Sequence, residues 1–144
     1  MAPSWKNSQS ARYYVIRSDE TLDKFKQTCL PTFNANNSAD APVLIITAFV
    51  KNSSGFDSSG EPANELGNGW GLYDLGLHNG NLILKAKDMG LDTLVMGIRD
   101  ADKIRKMLSI SDDEIIVSVI ALGYGSLEPK MPNRKAAADI VKFF

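Results

Sequence analysis

The run V-L-I-I-T-A-F-V at residues 43–50, directly after Pro42, places the strongest constraint on the fold. Its length and its β-branched residues favour a strand buried on both faces over a helix. Residues 115–122 form a second run of the same kind. A strand that is apolar on both sides needs a covering layer on each face, so we expect residues 43–50 to lie in the centre of a sheet.

Strand and helix patterns alternate along the rest of the chain. Residues 12–16 predict a shorter strand, because aromatic and β-branched side chains are concentrated there, and residues 91–98 hold another short strand. Four helices are predicted: one between Ser18 and Pro31, one over residues 72–89 with Gly90 as its C-terminal cap, one after Asp100, and one over residues 136–144. Residues 51–69 are rich in polar residues and glycine, and they predict a long mobile loop.

Composition argues against several classes of protein. The 144 residues include 16 Lys and Arg against 17 Asp and Glu, so the formal net charge of -1 implies no general attraction to nucleic acid or to a membrane surface. The longest apolar run is far too short to span a bilayer. The length suits one domain over residues 1–144.

The cysteine and histidine content is equally restrictive. Cys29 is the single cysteine, which rules out an internal disulfide and suits a reducing compartment. The first residues are polar and lack a secretory signal, so we expect a cytoplasmic protein. His78 has no second histidine and no cysteine pair to join it, so we expect no metal site.

The segment A-P-S-W-K-N-S-Q at residues 2–9 is the first candidate site. Ser4, Asn7 and Gln9 are short polar side chains ahead of a predicted strand, and they can direct donors and acceptors at one planar partner. A flavin's pyrimidine edge, with its alternating carbonyls and ring nitrogens, is such a partner. From spacing alone an ordinary polar turn explains the same residues, and it is the more frequent case.

Arg134 and Lys135 precede the predicted last helix, whose N-terminal end is already positive. A phosphate monoester would offset the two cations, because Arg offers bidentate hydrogen bonds and Lys a point charge. The alternative is a solvated basic pair on the surface.

Glycines in two segments suggest close approach by another group. Gly97, between Met96 and Ile98, follows a predicted strand and would let the backbone approach a flat ligand, although such a glycine more often marks a turn. Gly76 and Gly80 lie four residues apart on one predicted helix. Tight packing within the chain and a subunit interface explain that spacing equally well.

Together these segments resemble the FMN-dependent nitroreductase family. Residues 2–9 are similar to the family pattern A-P-S-x-x-N-x-Q, and residues 70–135 follow the family's order of helix, strand and basic C-terminal element. The resemblance implies an α+β fold with a mainly antiparallel sheet flanked by helices, assembled as a homodimer. It also implies FMN as the cofactor and NADH or NADPH as co-substrate. A nitroaromatic, quinone or similar small-molecule acceptor would take the electrons in a ping-pong cycle.

The resemblance also assigns site residues, all of them to cofactor binding. It implies no catalytic side chain and no metal ligand, because the flavin carries the chemistry. The residues it assigns to FMN are Pro3, Ser4, Trp5, Asn7, Gln9, Met96, Gly97, Ile98, Arg134 and Lys135.

The chain is short at its N-terminus relative to this family. Family members normally begin with helices that carry an Arg-Arg-Ser-x-Arg-like motif, and this sequence has no counterpart to it. We therefore expect the affinity for FMN to be at risk. Two alternatives remain open: a flavin-binding or sensing module without turnover, and a flavin-free remnant or interaction domain.

Overall fold

Four antiparallel strands form one sheet in the computed structural model, which describes residues 2–144. The strands are β1 (Ala11–Ile16), β2 (Val43–Val50), β3 (Asp92–Met96) and β4 (Glu114–Gly123), in the order β1-β2-β4-β3. The helices are α1 (Asp19–Cys29), α2 (Thr32–Asn37), α3 (Gly69–Asp88), α4 (Ala101–Leu108) and α5 (Ala137–Ile140), and a 3₁₀ turn covers Trp5–Asn7. The predicted α+β fold with an antiparallel sheet is confirmed, and β2 is an inner strand as its sequence requires.

Alternate residues of β2 supply two separate layers. Leu44, Ile46 and Ala48 belong to the main hydrophobic core, which α1 and α4 complete with Phe25 and Ile104. All five are fully buried. This layer fixes the two helices against one face of the sheet.

The opposite face of the sheet is covered by α3. Phe49 is 1% exposed, and its ring lies so close to Gly71 that a Cβ atom added there would be 2.3 Å from it. Thr47 is also buried on this face, where its hydroxyl lies 2.8 Å from that of Ser118. The two hydroxyls satisfy each other, so a polar pair is accommodated between the inner strands.

The structure differs from the sequence prediction at two helices. Helix α2 has no periodic apolar pattern and was not predicted; its buried Asn34 ties it to the end of β3 through a hydrogen bond to the Ile98 carbonyl. The last helix was predicted over residues 136–144 but covers only Ala137–Ile140. Residues 137–144 are all exposed, so no packing extends this short helix beyond what local propensity supports.

The outer face of α3 is apolar and uncovered. Tyr73, Leu77 and Leu84 lie there and are 61%, 36% and 71% exposed. Nothing lies within 4 Å of a Cβ atom built at Gly76 or Gly80. Within residues 2–144, therefore, no element packs on the two glycines, and packing inside the chain does not explain them.

No helix in the described part of the chain is long and apolar enough to cross a membrane.

The close contact between Gly71 and Phe49 gives a test of the packing on the α3 side. Gly71→Ala should lower the free energy of unfolding by about 1–3 kcal/mol, because the added methyl group overlaps the ring. Gly69→Ala is the matched control: its Cβ would meet Leu66 at an ordinary 3.5 Å, so the change should stay within about 0.5 kcal/mol. Urea denaturation followed by circular dichroism measures both. Equal stabilities for the two variants would contradict the described packing.

Candidate functional site

Residues 4–9 form a loop, here called the polar loop, whose backbone is held in an unusual conformation. Lys6, Asn7 and Gln9 have φ angles of 44°, 58° and 50°. Residues other than glycine seldom adopt positive φ, and such strain is concentrated at functional sites. Three cases within four residues therefore mark this loop as a candidate binding segment.

Hydrogen bonds within the polar loop arrange its side chains. The Gln9 backbone N–H donates to the Ser4 hydroxyl, and the Gln9 side-chain amide donates to Asn7 Oδ1, both at 3.1 Å. Asn7 and Gln9 are exposed. The other side-chain amide atoms, Asn7 Nδ2 and Gln9 Oε1, have no hydrogen-bond partner within residues 2–144, and so they are available to a ligand.

A buried polar cluster lies beneath the polar loop. The carboxylate of Asp74, on α3, accepts hydrogen bonds from the Trp5 backbone N–H at 2.9 Å and from the Ser54 hydroxyl at 2.7 Å. The Ser54 hydroxyl also lies 2.6 Å from that of Ser8 and 3.0 Å from that of Ser10. The cluster joins three parts of the chain that lie far apart in sequence.

The Trp5 side chain is part of the support beneath the loop. Its ring lies 4.7 Å, centroid to centroid, from that of Trp70, which in turn meets Tyr73 at 5.7 Å. The Trp5 indole N–H is buried without a hydrogen-bond partner. Pro3 is exposed at the start of the loop.

Residues 51–69, predicted as a mobile loop, are held by many local hydrogen bonds. Asn52 and Asn68 are joined by two hydrogen bonds, and Trp70 Nε1 donates to Asn64 Oδ1 at 2.9 Å. The Ser59 hydroxyl, together with the backbone N–H groups of Glu61 and Ser59, lowers the pKa of Asp57. The segment is therefore ordered by its own hydrogen bonds, and it supports the polar loop through Ser54.

The second predicted contact segment lies at the end of β3. Met96 is 2% exposed and belongs to the core, whereas Gly97 is exposed, with nothing within 4 Å of a built Cβ atom. The Ile98 side chain is 73% exposed, and its carbonyl oxygen accepts the 2.8 Å hydrogen bond from Asn34. A flat ligand can therefore approach the Gly97 backbone.

A cleft of about 520 Å³ adjoins this second segment, between the end of α1 and the start of α4. Its lining mixes apolar and charged residues and includes Cys29, Ile98, Arg99, Asp100 and Lys103. No residue of the polar loop lines it. Burial raises the pKa of the Cys29 thiol, which stays in its neutral form at physiological pH.

The two contact segments lie at the same end of the sheet but on opposite edges. The antiparallel pairing places the start of β1 beside the end of β2, and the end of β3 points the same way. Since β2 and β4 lie between them, three strand spacings of about 4.8 Å, or roughly 14 Å, separate the edges. One chain does not bring the polar loop and Gly97 together.

Arg134 and Lys135 form no hydrogen bond or ion pair with either segment in the described part of the chain. They are exposed, precede the short helix α5, and make no ion pair or side-chain hydrogen bond with any of residues 2–144. Residues 124–144 are exposed throughout. The Gly125 N–H donates to Asp92 at 3.0 Å where this tail leaves the sheet.

Sequence reasoning missed the residues that support the site. Asp74, Ser54 and Asn34 bind the backbone or side chains of the two contact segments but belong to no motif. One signal was present: Asp74 lies beside Leu75 in the first turns of α3, next to the side that faces the sheet. A carboxylate at such a position has to find partners inside the fold.

The strain in the polar loop can be tested by substitution at Lys6. Lys6→Gly should leave the free energy of unfolding unchanged or raise it by up to about 1 kcal/mol, because glycine adopts positive φ without a steric cost. Lys6→Val should lower it by about 1–2 kcal/mol. Lys51→Val, at a residue without positive φ, serves as the control. Thermal and urea unfolding measure the difference, and a Lys6→Val variant as stable as the parent would rule out the strained conformation.

Solved structures share this fold across almost the whole chain. CLA-ER, an enone reductase of gut-bacterial fatty acid biohydrogenation, has 22% identity and a TM-score of 0.83, covering 99% of this chain and 80% of that one. A nitroreductase family protein from Streptococcus pneumoniae TIGR4 has 21% identity and a TM-score of 0.80, covering 98% and 82%. An oxidoreductase described as containing FMN has 23% identity and a TM-score of 0.80, covering 98% and 74%.

At these identities the structures establish the fold alone. No curated protein matches the sequence significantly. The model of the nitroreductase family, however, matches residues 1–124, which include the polar loop and all four strands. The chain therefore belongs to the nitroreductase family, whose members are generally flavin-dependent oxidoreductases.

Proposed function

We propose that the protein is an FMN-dependent oxidoreductase that takes electrons from NADH or NADPH and passes them to a nitroaromatic, quinone or similar small-molecule acceptor. The observation that carries this proposal is the polar loop, in which the exposed amides of Asn7 and Gln9 are held by a backbone with positive φ. The structural neighbour described as containing FMN supports the choice of cofactor.

Three groups of residues match three different parts of FMN. The free amide groups of Asn7 and Gln9 match the donors and acceptors of the pyrimidine edge. The open backbone at Gly97 suits the face or edge of a flat ring system. Arg134 and Lys135 have no ion-pair partner in the described chain, and they suit a phosphate.

The proposed roles of the residues follow from these matches to the parts of FMN. When bound, FMN supplies the redox chemistry, accepting and donating electrons in a ping-pong cycle. The polar loop orients the ring, the Gly97 backbone approaches it, and the basic pair holds the phosphate. No side chain is assigned as acid or base. Residues 51–69 support the polar loop and would border the acceptor.

We also propose that two copies of the chain assemble around the flavin. The polar loop and Gly97 lie on opposite edges of one sheet, so a second copy can supply the part that one chain places too far away. The exposed apolar stripe of α3, with Tyr73, Leu77 and Leu84, offers the surface for that contact.

The single buried Cys29 is consistent with the cytoplasm as the compartment.

Flavin binding and reduction test the activity. The purified protein should be yellow or bind added FMN, and anaerobic NADH or NADPH should bleach the flavin absorbance. Asn7→Ala and Gln9→Ala should each weaken FMN binding by roughly tenfold, because each removes a hydrogen-bonding side chain. Asn36→Ala, an exposed amide on α2, should leave the affinity unchanged.

Each failure would have a distinct meaning. A protein that shows no FMN binding in a fluorescence titration would be the flavin-free remnant. A protein that binds FMN but is not reduced by either nicotinamide would be the binding or sensing module. Either result rejects the proposed oxidoreductase activity.

The assembly is tested by the mass of the particle in solution. Light scattering should give the mass of a dimer, and Leu84→Glu should weaken the dimer by at least roughly tenfold because it buries a charge in the contact. Phe33→Glu is the matched control, since Phe33 is 74% exposed on α2, away from the α3 surface. A monomer at micromolar concentrations, or equal masses for the two variants, would contradict this interface.

A further inference from the structure

We propose that Asp74 is a positioning residue for flavin binding: its buried carboxylate fixes the polar loop in the conformation that presents Asn7 and Gln9. The inference rests on the proposed function only in naming FMN as the ligand. The fixing of the loop itself is read from contacts within this chain.

The carboxylate is buried and its partners are few. Asp74 is 3% exposed, and its Oδ2 atom accepts both the Trp5 backbone N–H and the Ser54 hydroxyl. A buried carboxylate is costly unless it is hydrogen-bonded, so its position in the fold depends on these two donors. Hydrogen bonds to a charged group are also stronger than neutral ones. The loop is therefore attached to α3 by an interaction that is costly to break.

The direction of the hydrogen bonds in the cluster follows from the number of protons. An ionised carboxylate can only accept, so the one hydroxyl proton of Ser54 goes to Asp74. The Ser54 oxygen is then an acceptor toward its other neighbours. Ser8 at 2.6 Å and Ser10 at 3.0 Å must both donate to it. Asp74 thereby sets the orientation of all three hydroxyls.

The two attachments enclose the strained part of the loop. Asp74 holds Trp5 directly and holds Ser8 and Ser10 through Ser54. The three residues with positive φ lie between Trp5 and Ser10. Because strained backbone persists only where its surroundings fix it, the cluster is what keeps the loop from relaxing. A loop fixed before the ligand arrives loses less entropy on binding.

Substitutions at Asp74 separate the hydrogen bonds from other effects. Asp74→Asn keeps an oxygen that can accept from Trp5 and Ser54, so FMN affinity should stay within about threefold of the parent. Asp74→Ala removes the acceptor, and affinity should fall by tenfold or more. Asp88→Ala removes a carboxylate from the exposed end of the same helix, where it pairs with Lys85, and should leave affinity unchanged.

A measurement without flavin tests the loop itself. Hydrogen exchange at the Trp5 backbone N–H should speed up at least tenfold in Asp74→Ala, and it should stay close to the parent in Asp74→Asn. Exchange in the inner strands β2 and β4 should not change. A general loss of stability would speed up exchange in β2 and β4 as well. It would therefore not give a change that is confined to the loop and absent from Asp74→Asn.

The opposite results overturn the inference. It fails if Asp74→Ala binds FMN as tightly as the parent and the exchange rate of its Trp5 N–H is unchanged. It also fails if exchange in β2 and β4 rises as much as exchange at Trp5. If Asp74→Ala does not fold, Ser54→Ala decides: weaker FMN binding with unchanged strand exchange supports positioning, and parental affinity overturns it. A parent protein that binds no FMN rejects the proposed function, while the exchange pattern still tests the role of Asp74.

Discussion

The pairing of β2 with β4 is the constraint on which the rest of the structure depends. Both strands are apolar on two faces, so α1 and α4 must cover one side of the sheet and α3 the other. The inner position of these strands leaves β1 and β3 at the edges. As a consequence, the polar loop before β1 and the Gly97 segment after β3 emerge at the same end of the sheet but at opposite edges of it.

Helix α3 connects the two halves of the functional proposal. Near its first turns it buries Leu75 against the sheet and places the carboxylate of Asp74 under the polar loop. Its outer face carries Leu77 and Leu84, which solvent reaches. An interior carboxylate and an exterior apolar stripe reverse the usual pattern of a surface helix, and both have physical reasons here. The carboxylate supports a strained loop, and the stripe is the surface that the proposed second copy of the chain would cover.

The fold was largely predictable from the sequence because its signals are local. Apolar runs and helical spacing placed the four strands and helices α1, α3 and α4, with boundaries within a few residues. Helix α2 was missed because it is held by Asn34 bonding to the distant Ile98 carbonyl and not by a periodic pattern. The last helix was too long in the prediction because the alanine-rich residues 136–138 favour a helix locally, whereas no tertiary contact extends it.

The sequence by itself determined the inner strands, the membership of residues 2–9 in a recognisable motif, and the candidate contacts of Asn7 and Gln9. Only the tertiary structure decided that Asp74 and Ser54 support that motif, and that Arg134 forms no hydrogen bond or ion pair with it within residues 2–144. Periodicity and motif spacing report on neighbours along the chain. A hydrogen bond between Trp5 and Asp74 joins residues 69 positions apart, so it exists only once the sheet and α3 have packed together.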